Sequence, residues 1–134
     1  MSAGKSFFDT NVLLYLLSAA SKADKAEALL AVGGVVSVQV LNEFASVASR
    51  KFKMPWPDVR EALDSIRAGC EVIPLTVEIH ETGLAIAEQC GFSFYDSLIL
   101  AAAADAKCRT LYSEDMQNGQ IVQGVTIRNP FSPQ

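Results

Sequence analysis

Four carboxylates in this chain stand beside apolar neighbours. Asp9 follows Phe7-Phe8, Glu43 precedes Phe44, Asp96 separates Phe94-Tyr95 from Ser97-Leu98-Ile99, and Asp115 lies in Ser113-Glu114-Asp115-Met116. A carboxylate bordering an apolar run is unfavourable unless it is paired, hydrogen-bonded or bound to a cation. Four such acids with few nearby bases suit a hard divalent ion, Mg²⁺ or Mn²⁺, which takes oxygen ligands. Each acid also has a plainer use. Asp9 is a good cap for a following helix. Asp96 stands three residues after Ser93, as in a capping box with Asp in place of Glu. Glu43 on a helix can be solvated surface, and Asp115 can serve a turn. Spacing alone does not bring the four together.

The elements that must position these acids alternate between strand and helix. Phe7-Phe8, Val35-Val36-Ser37, Glu71-Val72-Ile73, Arg109 to Ser113 and Val125 to Arg128 read as strands. Ser21 to Ala31, Val38 to Lys53, Asp58 to Ala68, Val77 to Gln89 and Ser97 to Ala104 read as helices, with Gly33-Gly34 and Gly91 as stops. Val40, Leu41, Phe44, Val47 and Ala48 make one apolar stripe with Glu43 at its flank. Ser97 to Ala104 is apolar nearly all round, which predicts a central buried helix. The alternation predicts a single α/β domain over 1–134: a central parallel sheet of about five strands flanked by helices. In such sheets ligands bind beyond the carboxyl ends of the strands. Asp9-Thr10-Asn11 follows the first strand, and Ser113-Glu114-Asp115 closes the fourth.

At 134 residues, half of them hydrophobic and 19% charged, the chain can bury a core without disulfides. Eleven basic against fifteen acidic residues give a net charge of −4, which excludes a broad basic face for nucleic acid. A polyanion would need metal ions or a local basic stripe. Cys70, Cys90 and Cys108 form an odd, widely spaced set and read as reduced thiols. The run Val12 to Leu17 imitates a signal peptide, but it is only six residues long and Asp9 and Asn11 interrupt what precedes it. No segment reaches the roughly 18 apolar residues of a membrane span, so the expected compartment is the cytoplasm.

The order Phe8-Asp9-Thr10-Asn11-Val12-Leu13, Asn42-Glu43-Phe44, Tyr95-Asp96-Ser97-Leu98-Ile99 and Ser113-Glu114-Asp115-Met116-Gln117-Asn118-Gly119 resembles PIN-domain proteins. More narrowly, it resembles the VapC toxins of prokaryotic type II toxin–antitoxin modules, and Ile127-Arg128-Asn129-Pro130-Phe131 adds to the likeness. The resemblance implies an endoribonuclease dependent on Mg²⁺ or Mn²⁺, with Asp9, Glu43, Asp96 and Asp115 as its acids. Asp9 and Asp96 carry over as direct metal ligands; Glu43 and Asp115 complete the pocket, directly or through water. Asn11 and Ser113 match small polar supporting positions. Glu114 is an acidic neighbour that competes for the fourth role, which the family's Ser/Thr-x-Asp spacing gives to Asp115. The resemblance further implies an RNA substrate, a homodimer, and a cognate antitoxin with a segment in an apolar groove.

Arg50, Lys51, Lys53 and Arg60 could supply a stripe for the RNA backbone, or Arg50 to Lys53 could simply complement a helix C-terminus. Gly119 to Gly124 has the glycine spacing of a phosphate loop, but Val125-Thr126 stands where Lys-Ser/Thr is required. His80 reads as solvated and Trp56 as a packing anchor. A receiver domain would carry paired acids after the first strand and a late Lys; a haloacid-dehalogenase-like phosphatase would carry Asp-x-Asp. Asp9-Thr10-Asn11 satisfies neither. A non-catalytic PIN fold that binds RNA or protein remains the main alternative.

Overall fold

The computed structural model describes residues 4–18 and 20–132. Strand β1 (Lys5–Phe8) leads directly into the short helix α1 (Thr10–Leu14) and a 3₁₀ turn over Tyr15–Leu17. Helix α2 (Ser21–Val32), β2 (Gly34–Ser37), α3 (Val38–Arg50), α4 (Trp56–Gly69) and β3 (Cys70–Ile73) follow. The second half runs α5 (Val77–Cys90), α6 (Phe94–Asp105), β4 (Cys108–Tyr112), β5 (Ile121–Val122) and β6 (Val125–Arg128).

Among the described residues the strands form one sheet of six in the order β3-β2-β1-β4-β6-β5, parallel except for β5. All five expected strands are present. The sixth is the two-residue β5, which turns onto β6 through Gln123 and Gly124, both at positive φ. That is the geometry of a two-residue type I′ hairpin, and it accounts for the glycine spacing of 119–124. The helices also differ at their ends. α3 stops at Arg50 because the chain turns through Lys53 at φ 57° ahead of Pro55. α4 begins at Trp56, since Pro57 is tolerated in a first helical turn. α6 begins at Phe94, where the Ser93 hydroxyl accepts from the Asp96 N–H.

Burial explains the layering. Phe7, Phe8, Val35, Val36, Leu111 and Ile127 are sealed between helices, as a parallel sheet requires. Ser97 to Ala103 is buried in every position and packs on β2, β4 and β6. α5 lies close against α6: a Cβ at Gly83 would stand 2.7 Å from Leu98 Cδ2. Trp56 departs from its expected anchoring role, being 65% exposed beside a shallow recess with Ala45, Val59 and Leu63. Cys70, Cys90 and Cys108 are free thiols.

The strand order has one consequence for function. From β1 the chain adds β2 and β3 on one side, then returns to add β4 on the other. The C-terminal ends of β1 and β4 therefore flank the point where the winding reverses, the usual place for a ligand crevice in such sheets. Asp9 and Ser113 are the residues that emerge there.

Candidate active site

The backbone puts Asp9 and Ser113 side by side. Phe8 is in register with Tyr112, the Asp9 N–H donates to the Tyr112 carbonyl at 2.9 Å, and the Ser113 N–H donates to the Arg128 carbonyl at 3.0 Å. Asp9 caps α1: its carboxylate accepts from the Thr10 N–H at 2.7 Å, while its other oxygen accepts from the Ser113 hydroxyl at 2.8 Å. Only 5% of Asp9 is exposed. Burial raises its pKa from 3.8 to about 7, against the two hydrogen bonds, and the charges of Asp96 and Glu43 add to the rise. Asp9 thus caps a helix and also faces other acids.

The sequence-predicted acids meet at one open cleft. Asp9, Glu43, Asp96 and Asp115 line it with Thr10, Asn11, Leu14, Ser46, Val47 and Arg50, around a volume of about 380 Å³. Glu43 is aimed by two donors: Thr10 Oγ1 to Oε1 at 2.5 Å and Gln39 Nε2 to Oε2 at 3.2 Å. Asp96 sits in the first turn of α6, half-buried. Burial raises its pKa, the Ser93 hydroxyl lowers it, and the charges of Asp115 and Glu43 raise it further. Asp115 is exposed at the cleft's mouth. Glu114 is turned away: its carboxylate accepts from Tyr15 Oη at 2.8 Å and Lys22 Nζ at 2.5 Å, and the Lys22 bond chiefly lowers its pKa. Lys22 also lies over the rings of Tyr15 and Phe131. Asn11 supports this loop by accepting from the Glu114 N–H at 3.3 Å.

The donor set fits a divalent cation. Burial and the neighbouring acids both disfavour ionised Asp9 and Asp96, a cost that a metal ion in the cleft would relieve. Among the described residues no three of these side chains close on one point as a finished ligand set. Mg²⁺ in general takes one or two carboxylates directly and keeps several of its waters. Of the expected basic stripe only Arg50 lines this cleft, held by Ser46 Oγ at 3.0 Å. Lys51 faces an adjoining groove of about 330 Å³, lined by Leu14, Tyr15, Val47 and Phe52. Arg60 stands by the recess at Trp56.

Thr10 and Gln39 hold Glu43, a role that nothing in their residue types announces. The signal for Gln39 was its position four residues before Glu43, a spacing at which helical side chains meet.

The chain belongs to the PIN domain family, whose match runs over residues 6–118. Its fold is similar to that of a toxin–antitoxin complex from Klebsiella pneumoniae: TM-score 0.73 and 21% identity, covering 96% of this chain and all of that one. It is also similar to Mycobacterium tuberculosis VapC20, a toxin that cleaves the sarcin–ricin loop: TM-score 0.68 and 20% identity, over 83% of this chain and 90% of that one. A third likeness is to VapBC2 from Rickettsia felis, solved with a DNA fragment from its promoter: TM-score 0.67 and 20% identity, over 92% and 97%. No curated protein sequence matches the chain.

Proposed function

We propose that this chain is a metal-dependent endoribonuclease and the toxin of a type II toxin–antitoxin pair. The observation that carries this reading is the meeting of Asp9, Glu43, Asp96 and Asp115 at one cleft beside the sheet's switch point. The PIN domain match and the VapC folds support it. In this reading Asp9 and Asp96 hold Mg²⁺ or Mn²⁺, while Glu43 and Asp115 act directly or through water. A cation held there would supply water activation and charge neutralisation at a scissile phosphate. Ser113 and the Thr10 N–H keep the Asp9 carboxylate oriented. Glu43, fixed by Thr10 and Gln39, orders water at the cleft wall. Arg50 at the rim binds an RNA phosphate, which lets an acidic protein hold a polyanion.

The partners follow from the same reading. The apolar groove beside the cleft, with Leu14, Tyr15, Val47 and Phe52, is the seat for a segment of the cognate antitoxin. The assembly is a homodimer of such chains. No described helix is long and apolar enough to cross a membrane, and the activity belongs to the cytoplasm, where its RNA is.

The test is cleavage of a mixed RNA pool by antitoxin-free protein with Mn²⁺ or Mg²⁺, with chelator, and with Asp9→Asn as the contamination control. Discrete fragments from wild type plus metal alone are expected. Fragments that persist in chelator or with Asp9→Asn refute the reading. A folded, metal-binding protein that cuts nothing leaves the PIN fold as a binding module.

A further inference from the structure

Gln39 is the buried polar residue that packing alone does not explain. It is 6% exposed, on the first turn of α3 between Val38 and Val40. Its Nε2 donates at 3.2 Å to Glu43 Oε2 and at 3.2 Å to the Tyr95 carbonyl, one residue before Asp96. Its Oε1 is buried without a hydrogen-bond partner among the described residues. An unmade hydrogen bond on a buried oxygen is a standing cost, which a Met of similar length would not incur. Exchanging the amide's oxygen and nitrogen does not help, because an oxygen would then face a carboxylate and a carbonyl. The side chain therefore earns its place through its NH₂ group.

That group joins two elements that each carry an acid of the cleft. Glu43 belongs to α3 and Asp96 to α6, 53 positions apart in sequence, and Gln39 touches Glu43 and the backbone next to Asp96. Thr10, adjacent to Asp9, holds the other Glu43 oxygen. With both oxygens engaged, Glu43 cannot swing out of the cleft.

We propose that Gln39 is a positioning residue: its amide fixes the Glu43 carboxylate against the N-terminus of α6, so that Glu43 and Asp96 address one hydrated cation. The proposal rests on the metal-dependent reading of the cleft. Partners that orient the groups around a metal typically contribute 10–100-fold to affinity or activity.

The test is Gln39→Met, with Mn²⁺ affinity measured by calorimetry on purified protein and RNA cleavage measured separately. The variant is expected to unfold at or above the wild-type midpoint, to bind Mn²⁺ about tenfold or more weakly, and to lose kcat by a similar factor with KM for RNA little changed. In a Glu43→Ala background the same substitution is expected to cost less than about threefold, because the effect passes through Glu43. Wild-type Mn²⁺ affinity in Gln39→Met overturns the proposal, as does an undiminished loss in the Glu43→Ala background. Gln39→Leu, which also lacks donors and adds no charge, takes the place of Gln39→Met if that variant fails to fold. Because calorimetry needs no turnover, a wild type that binds Mn²⁺ but leaves RNA intact refutes the ribonuclease reading while Gln39 is still decided.

Discussion

Asp9→Asn should make the metal-free protein more stable at alkaline pH while removing its activity. In the unfolded chain Asp9 ionises near pH 3.8; in the fold, burial and the neighbouring acids hold its proton to about pH 7. Between these values the folded state binds more protons than the unfolded state. Stability therefore falls as pH rises across that window, and is lowest above it. A rise of about three units at 1.36 kcal/mol each amounts to about 4 kcal/mol. Asparagine keeps the acceptor for the Thr10 N–H, offers an N–H to the Ser113 oxygen, and carries no charge to bury. In chelator at pH 8 the variant should exceed wild type by about 2–4 kcal/mol, a midpoint difference on the order of 10 °C. At pH 5 the gap should narrow to roughly 1–2 kcal/mol, since folded Asp9 is then protonated while the unfolded chain is already about one unit above its own pKa. Saturating Mn²⁺ should raise wild type at pH 8 and leave the variant nearly unmoved. Urea denaturation followed by circular dichroism measures all of this. A difference between the proteins that is the same at pH 5 and pH 8 refutes the reasoning.

Glu114→Gln should leave Mn²⁺ affinity and RNA cleavage within about threefold of wild type, whereas Asp115→Asn should lower cleavage by about tenfold or more; equal losses would reverse the assignment drawn from the Lys22–Glu114 pair. Ser113→Ala removes the hydroxyl that favours ionised Asp9. It should destabilise the chelated protein more at pH 8 than at pH 5, by about 1–2 kcal/mol, as the two denaturation curves will show. Gly34→Ala should cost about 1–3 kcal/mol in thermal unfolding, because a Cβ there would stand 2.7 Å from the Ser6 carbonyl oxygen and 2.6 Å from the Phe8 ring; an unchanged midpoint would mean that β1 and β2 separate easily.

What could be read before folding was set by how local each cause is. Apolar runs marked the five main strands, and the Ser93-to-Asp96 spacing held the true start of α6, although its apolar core at Ser97 drew the boundary inward. The β5–β6 hairpin escaped because Gln123 takes a positive φ with none of the Asn-Gly signal that usually marks it. For the candidate site, the acids were visible as charges against apolar sequence, and their family order suggested that they meet. Gln39 was not visible in this way: it is neutral, and one of its partners is a backbone carbonyl 56 residues away. The Ser-x-Asp spacing favoured Asp115 over Glu114, but the reason Glu114 turns away, its bond to Lys22 on a helix some 90 residues earlier, was not local.

The central strand of the sheet is also the first to be synthesised. β1 lies between β2 and β4, and its pairing with β4 spans about a hundred residues. At about 5–20 residues per second, β1 waits on the order of 5–20 s for that neighbour. Asp9 leaves the ribosome early, but the Ser113 hydroxyl that orients it and Asp115 across the cleft arrive last. A chain not yet extended past Ser113 therefore holds three of the acids without the site. The four acids can meet only in chains synthesised past Asp115.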